Sequence, residues 1–266
     1  MRLRLRRFAS MAAGLLTLVA CTSLPATGTE QVAGSAVSYA IAGSTGPVVV
    51  LQSGLGDDRS PWRLVVPALS SRYTVFSYDR PGYGSSASSL ESRDACTIAR
   101  ELHTLLLAAR MPPPYVLVGH SLGGLYQYAY ARLYPQEVAG LVLVDATYPA
   151  HWQRMQQDVP ALAGVLTALR ATTFSGTERR EFDAQENCLG ALAATPLAIP
   201  TRVLRRSEYG AIEQGAFARL DRELAQDWTR LTGASRVDVV SNSGHYIQQD
   251  QPAKVVAAVN AVAPVR

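Results

Sequence analysis

Short apolar runs recur along the chain, separated by longer stretches of helical period. Val48–Leu51, Tyr115–Val118 and Val138–Val144 are continuous, and Tyr73–Tyr78, Thr201–Leu204 and Val237–Val240 repeat the pattern more weakly. A run of that length bounded by Gly or Pro fits a strand buried on both faces. A strand pair is predicted around Val32–Ile41, closed by Gly43–Pro47. Helices are predicted over Pro61–Ser70, from a Ser92 or Asp94 cap to Arg110, from the Gly123 region to Tyr134, over Phe217–Leu231, and from Pro252 onward. Strands alternating with helices predict an α/β domain whose mostly parallel sheet is covered by helices on both faces. The stretch 147–200 has helical pieces and no strand. It breaks the alternation and reads as a helical cap inserted over the sheet.

Composition agrees with one large domain. Of 266 residues, 48% are hydrophobic and 17% charged, enough apolar surface for a sizeable core. The net charge of +4 changes meaning once it is located. Arg2, Arg4, Arg6 and Arg7 precede an apolar run from Phe8 to Ala20, and removing residues 1–20 takes the formal charge to zero. No basic patch is left to track phosphates, so no nucleic-acid partner is expected.

That leader has the basic, apolar and small-residue regions of a signal peptide over 1–20, too short for a membrane span. It ends in Leu18-Val19-Ala20-Cys21, which resembles the lipobox of bacterial lipoproteins. The resemblance implies lipidation at Cys21, a membrane anchor, a tether over 21–30 and a domain over 31–266 in the bacterial cell envelope. An ordinary secreted protein cut nearby, or a retained anchor, is the alternative. Cys96 and Cys188 remain, and in an oxidising compartment they could pair or stay as two small buried residues.

The chemistry concentrates at Gly119-His120-Ser121-Leu122-Gly123, directly between a buried strand and a helix. A sharp turn there can lift the Ser121 oxygen above the sheet, and the helix N-terminus favours negative charge beside it. A Gly-rich turn that binds a phosphate, or nothing, is the bland alternative. With Gln52-Ser53-Gly54-Leu55-Gly56, Tyr78-Asp79-Arg80-Pro81-Gly82-Tyr83-Gly84 and Ser243-Gly244-His245, the chain resembles α/β-hydrolase-fold serine hydrolases from about Val37 to its end.

The resemblance implies Ser121 as nucleophile and His245 as base. His120 is expected to point away from the serine, His103 to lie in a helix, and His151 to sit in the cap within reach of substrate but not easily of Ser121. The acid is less plain, because the usual Asp after the strand following the cap is missing. Asp145, ending the strand Leu141–Val144, keeps the order Ser, acid, His, and Glu208 is the alternative. Asp79 is read as a turn residue holding Arg80 or nearby amides. Backbone amides of Leu55 and Leu122 would form the oxyanion hole. No metal or cofactor is called for, since Cys and His are too scattered for zinc and no dinucleotide fingerprint sits in a suitable context. A small ester-like substrate is expected. Amide, thioester or carbon–carbon hydrolysis, or binding without catalysis, are the alternatives. Met155, Val159, Leu162, Leu166 and Leu169 recur at helical spacing, either to pack the cap on the core or to line the cleft.

Overall fold

In the computed structural model, residues 24–192 and 195–264 are described. The leader 1–20 and Cys21 lie outside them. Among the described residues, eight strands form one sheet: β1 (Gly28–Val32), β2 (Ser35–Ala42), β3 (Val48–Gln52), β4 (Thr74–Tyr78), β5 (Tyr115–His120), β6 (Val138–Val144), β7 (Thr201–Arg206) and β8 (Val237–Val240). Their spatial order is β1-β2-β4-β3-β5-β6-β7-β8. β1 and β2 form an antiparallel hairpin at one edge, β2 pairs antiparallel with β4, and all later neighbours are parallel.

The period of two along each strand explains the continuous apolar runs, because successive side chains enter different cores. Val48, Val50, Leu117, Leu141 and Leu143 join one cluster with α2 (Ala95–Ala108) and α3 (Leu122–Leu133). Val49, Leu51, Val116, Val118, Val142 and Val144 join the other, with α1 (Val66–Ser70) and α9 (Pro252–Val262). Asp94 caps α2 by accepting from the amides of Cys96 and Thr97.

Among the described residues, three α-helices and a 3-10 turn at Leu189–Ala191 fill the interruption: the helices are α4 (His151–Asp158), α5 (Pro160–Thr172) and α6 (Gly176–Ala184). α4 and α5 pack on α7 (Ala216–Thr232) through Met155, Ala163, Phe217, Leu220 and Leu224. α6 is tied differently, through a disulfide between Cys188 and Cys96 and through its buried Glu181. A short α8 (Ile247–Asp250) precedes α9.

Two expectations need correction. The helix over Pro61–Ser70 is a single 3-10 turn at Ser60–Trp62 and then the five-residue α1. Trp62, Val65, Val66 and Leu69 all turn into one core, so packing rather than helix length meets the demand of the apolar pattern. Of the expected tether over 21–30, residues 24–30 belong to the fold. β1 starts at Gly28, the Thr27 amide donates to the Tyr39 carbonyl, and the Leu24 carbonyl accepts from Arg59 Nε. Pairing with β2 overrides the polar, loop-like composition of that segment.

Candidate active site

At the carboxyl ends of β3, β5, β6, β7 and β8, five loops meet where the strand order reverses, the usual crevice of open α/β sheets. The turn after β5 carries Ser121 at φ 53° and ψ −127°, a region side chains rarely occupy. Such strain costs about 1–3 kcal/mol and persists only where the surroundings hold it. Here the Ser121 amide donates to the Val144 carbonyl at 3.1 Å, while its own carbonyl accepts from Gly124 and Thr147 at 2.9 and 3.0 Å. Gly119 and Gly123 permit the approach, since a Cβ on the first would meet the Gly123 carbonyl and on the second the carbonyls of Gln52 and Ser53.

Asp145 follows β6, also at positive φ, and is buried. Its Oδ2 lies 2.6 Å from His245 Nδ1 and 2.7 Å from Arg206 Nε, and its Oδ1 accepts from the Arg206 amide at 3.0 Å. Burial raises its carboxyl, but the His245 hydrogen bond and the charges of His245 and Arg206 outweigh burial and hold it below the ordinary carboxylate range. An ionised Asp145 assigns the proton to Nδ1 of His245 and leaves Nε2 free to accept.

His245 sits in the loop after β8. Asp250 Oδ2 accepts from the Gly244 amide at 2.9 Å, and the His245 carbonyl receives His120 Nε2 at 3.0 Å. The His120 ring is buried 4.5 Å from the His245 ring. Burial, then the charge of His245, pushes it far below the usual histidine value, so it stays neutral and acts as a prop. Glu208 is exposed after β7. Its amide donates to Ser243, and among the described residues its carboxylate makes no contact with His245.

Ser121 and His245 line one cavity of about 260 Å³, without a hydrogen bond between their side chains among the described residues. Leu55 and Leu122 line it too. As the first residue of α3, Leu122 carries one of the amides that have no intrahelical acceptor. Its lining is apolar at Trp152, Met155, Leu166, Phe182 and Phe217, and polar at His151, Gln185, Arg206, Glu213 and Asp221. His151 therefore reaches the same cavity as Ser121. The helical stripe divides its duties: Met155 and Leu166 face the cavity, Val159 and Leu162 pack in the cap, and Leu169 is exposed. A larger groove of about 400 Å³ lies between β8 and α9, away from all these residues.

Sequence reasoning missed Arg206, which touches Asp145 directly, and the role of Arg80. Asp79 holds Arg59 and the amides of Arg59 and Ser85, not Arg80. Arg80 instead pairs with Glu181 of the cap, 101 residues away. The run Val203-Leu204-Arg205-Arg206 was a signal for the first, since a strand so buried seldom ends in a second arginine without a partner.

A family model described as "Alpha/beta hydrolase family" matches residues 48–259. Over 100 residues the chain is 41% identical to "Putative carbamate hydrolase RutD" of Escherichia coli O9:H4 (strain HS), which is 37% of each chain. The chain spans about two fifths of the length of the curated relatives it matches. Among solved structures it resembles the enol-lactonase from Burkholderia xenovorans LB400, with TM-score 0.66, 20% identity, and coverage of 87% of this chain and 98% of that one. It also resembles a thermophilic esterase from Thermogutta terrifontis, with TM-score 0.64, 20% identity, and coverage of 87% and 96%. At such identity the likeness is one of fold.

Proposed function

Because this chain belongs to the alpha/beta hydrolase family, we propose that it is a serine hydrolase of small carboxylic esters, with Ser121, His245 and Asp145 as its triad. The observation that carries the reading is the 2.6 Å contact of His245 Nδ1 with Asp145 Oδ2, beside a cavity that Ser121 also lines. Nε2 of His245 takes the Ser121 proton as Oγ attacks the ester carbonyl carbon. The carbonyl oxygen becomes an oxyanion that accepts from the Leu55 and Leu122 amides. Collapse breaks the carbon–oxygen bond, and His245 returns the proton to the departing alkoxide. Water, deprotonated by the same His245, then releases the acid from the acyl-enzyme. Asp145 stays ionised and stabilises the imidazolium.

A cavity of about 260 Å³ with an aromatic and thioether lining suits a small ester with an apolar group. RutD is named for carbamates, whose acyl carbon is open to the same attack, so carbamates belong in the substrate screen. Ser121→Ala should leave the fold intact and lower nitrophenyl ester turnover by about six orders of magnitude. Near-normal hydrolysis by pure, folded Ser121→Ala protein would overturn the reading.

The proposal extends to location, in the bacterial envelope on a lipid at Cys21. The leader and the Leu-Val-Ala-Cys ending support it, and the Cys96–Cys188 disulfide suits an oxidising compartment. Cys21→Ser should free the protein from the membrane fraction and abolish palmitate labelling. Unchanged fractionation and labelling would refute the anchor.

A further inference from the structure

We propose that Glu181, on cap helix α6, is a positioning residue for catalysis, acting through Arg80 on the peptide that presents the Leu55 amide. The inference rests on the serine-hydrolase reading, because only that reading gives the amide an oxyanion to receive.

Arg80 follows β4 and is 1% exposed. Its Nη1 donates to the Ser53 carbonyl at 2.6 Å and its Nη2 to the Gly54 carbonyl at 2.8 Å. The Gly54 carbonyl and the Leu55 amide belong to one planar peptide unit, and in a trans peptide they point in opposite directions. Gripping the oxygen therefore aims the N–H. Withdrawing electrons from that oxygen also makes the N–H a stronger donor. Leu55 lines the same cavity as Ser121 and Leu122.

A guanidinium forks two carbonyls only if its plane is fixed. Glu181 fixes it by accepting Arg80 Nε at 3.1 Å and Nη2 at 3.0 Å in the bidentate manner. The Glu181 carboxylate also accepts Tyr83 Oη at 3.0 Å and Arg93 Nη2 at 3.2 Å, and it is wholly buried. The guanidinium lies 4.7 Å from the Tyr83 ring centroid and 5.4 Å from that of Tyr126. A buried ion pair is weak evidence for stability, since apolar residues of similar volume often do as well. What apolar residues could not do is join a cap helix to the two carbonyls of one catalytic turn. Docking of α6 and assembly of the oxyanion hole thereby become one event.

The test uses Glu181→Gln, which keeps size and loses charge, and Arg80→Lys, which keeps charge and loses the fork. Active sites are counted by fluorophosphonate titration and folding by circular dichroism. Deleting an oxyanion donor outright costs about 10²–10³ in kcat, so misaiming one should cost roughly 10- to 100-fold per titrated site while KM holds within about threefold. Affinity for an alkyl boronic acid, which forms a tetrahedral adduct on Ser121, should fall in parallel. A lower melting temperature with kcat and boronate affinity unchanged would mean a merely structural pair and overturn the proposal. If Glu181→Gln does not fold, Arg80→Lys decides alone, because Glu181 keeps a cationic partner there. Wild-type protein that takes no fluorophosphonate would instead sink the serine-hydrolase reading.

Discussion

Arg80 and Arg206 both stand at the carboxyl end of a strand, on the rim that carries Ser121, and both are buried, at 1% and 5% exposure. Their surroundings differ in kind. Arg80 shares a sealed cluster with Arg93, Glu101 and Glu181, two charges of each sign. Arg206 forms part of the cavity wall and faces three carboxylates, Asp145, Glu213 and Asp221. The balanced cluster carries no net charge when its four groups are ionised. In it, burial raises Glu181, but the Arg80 charge and hydrogen bonds outweigh that and hold it below its ordinary value. The unbalanced cluster is electrically soft. Burial first, and then the charge of Asp145, raises the carboxyl of Asp221. Geometry is thus entrusted to a closed, neutral network, whereas proton affinity is set at an open, negative one.

The largest break in that contrast should come from Asp145→Asn. Loss of the carboxylate should lower kcat about 10⁴-fold with KM much less affected, while Glu208→Gln stays close to wild type. Steady-state kinetics on folded variants would show it, and the reverse order of effects would move the acid to Glu208.

Next in size is the different signature of the two arginines. Arg206→Met removes a positive charge beside Asp145 and leaves Glu213, Asp221, His151 and His245 around it. The dyad then holds its proton more tightly, so the acid limb of the kcat/KM profile should move up by about one pH unit. Arg80→Met should instead lower kcat at every pH without moving the limb. Equal limb shifts in both variants would erase the distinction.

The smallest expected effect concerns His151. Burial, then the charges of Arg206 and His245, pushes its imidazole down to about 4. The folded value lies below the unfolded one, so the unfolded chain binds the proton first. The contribution of this group is fully present above pH 6.5 and is lost as pH falls from 6.5 toward 4. Melting temperature should drop by a few degrees more in wild type than in His151→Gln across that window, and parallel curves would rule the contribution out.

Local features were the legible ones. The elbow is a contiguous pattern between a strand and a helix, and the alternation of runs around it predicts the parallel sheet. Asp145 and His245 stand out in the sequence because one directly follows a strand and the other lies in the loop after the last one. Contacts across the fold left much fainter traces. Glu181 looks like an ordinary charged helix position until α6 docks on the loop 80–84, and Arg206 resembles a surface residue until Asp145 turns toward it. Asp79 and Arg80 are adjacent and share a turn, yet they serve different networks because the chain at a strand end sends consecutive side chains to opposite sides. The segment at 28–30 misled for the opposite reason, because its polar composition suits a loop and only pairing partners make it part of an edge strand.

The bond between Cys96 and Cys188 closes the chain into a covalent ring, with the two half-cystines 92 residues apart in sequence. Ser121, Asp145 and the helices α4, α5 and α6 lie within that ring, and His245 lies outside it. A single proteolytic cut anywhere in the α4–α5 segment would therefore release no fragment. Its products would migrate as one species without reductant and as two with it, and a nicked molecule would still carry both sides of the catalytic crevice in one piece.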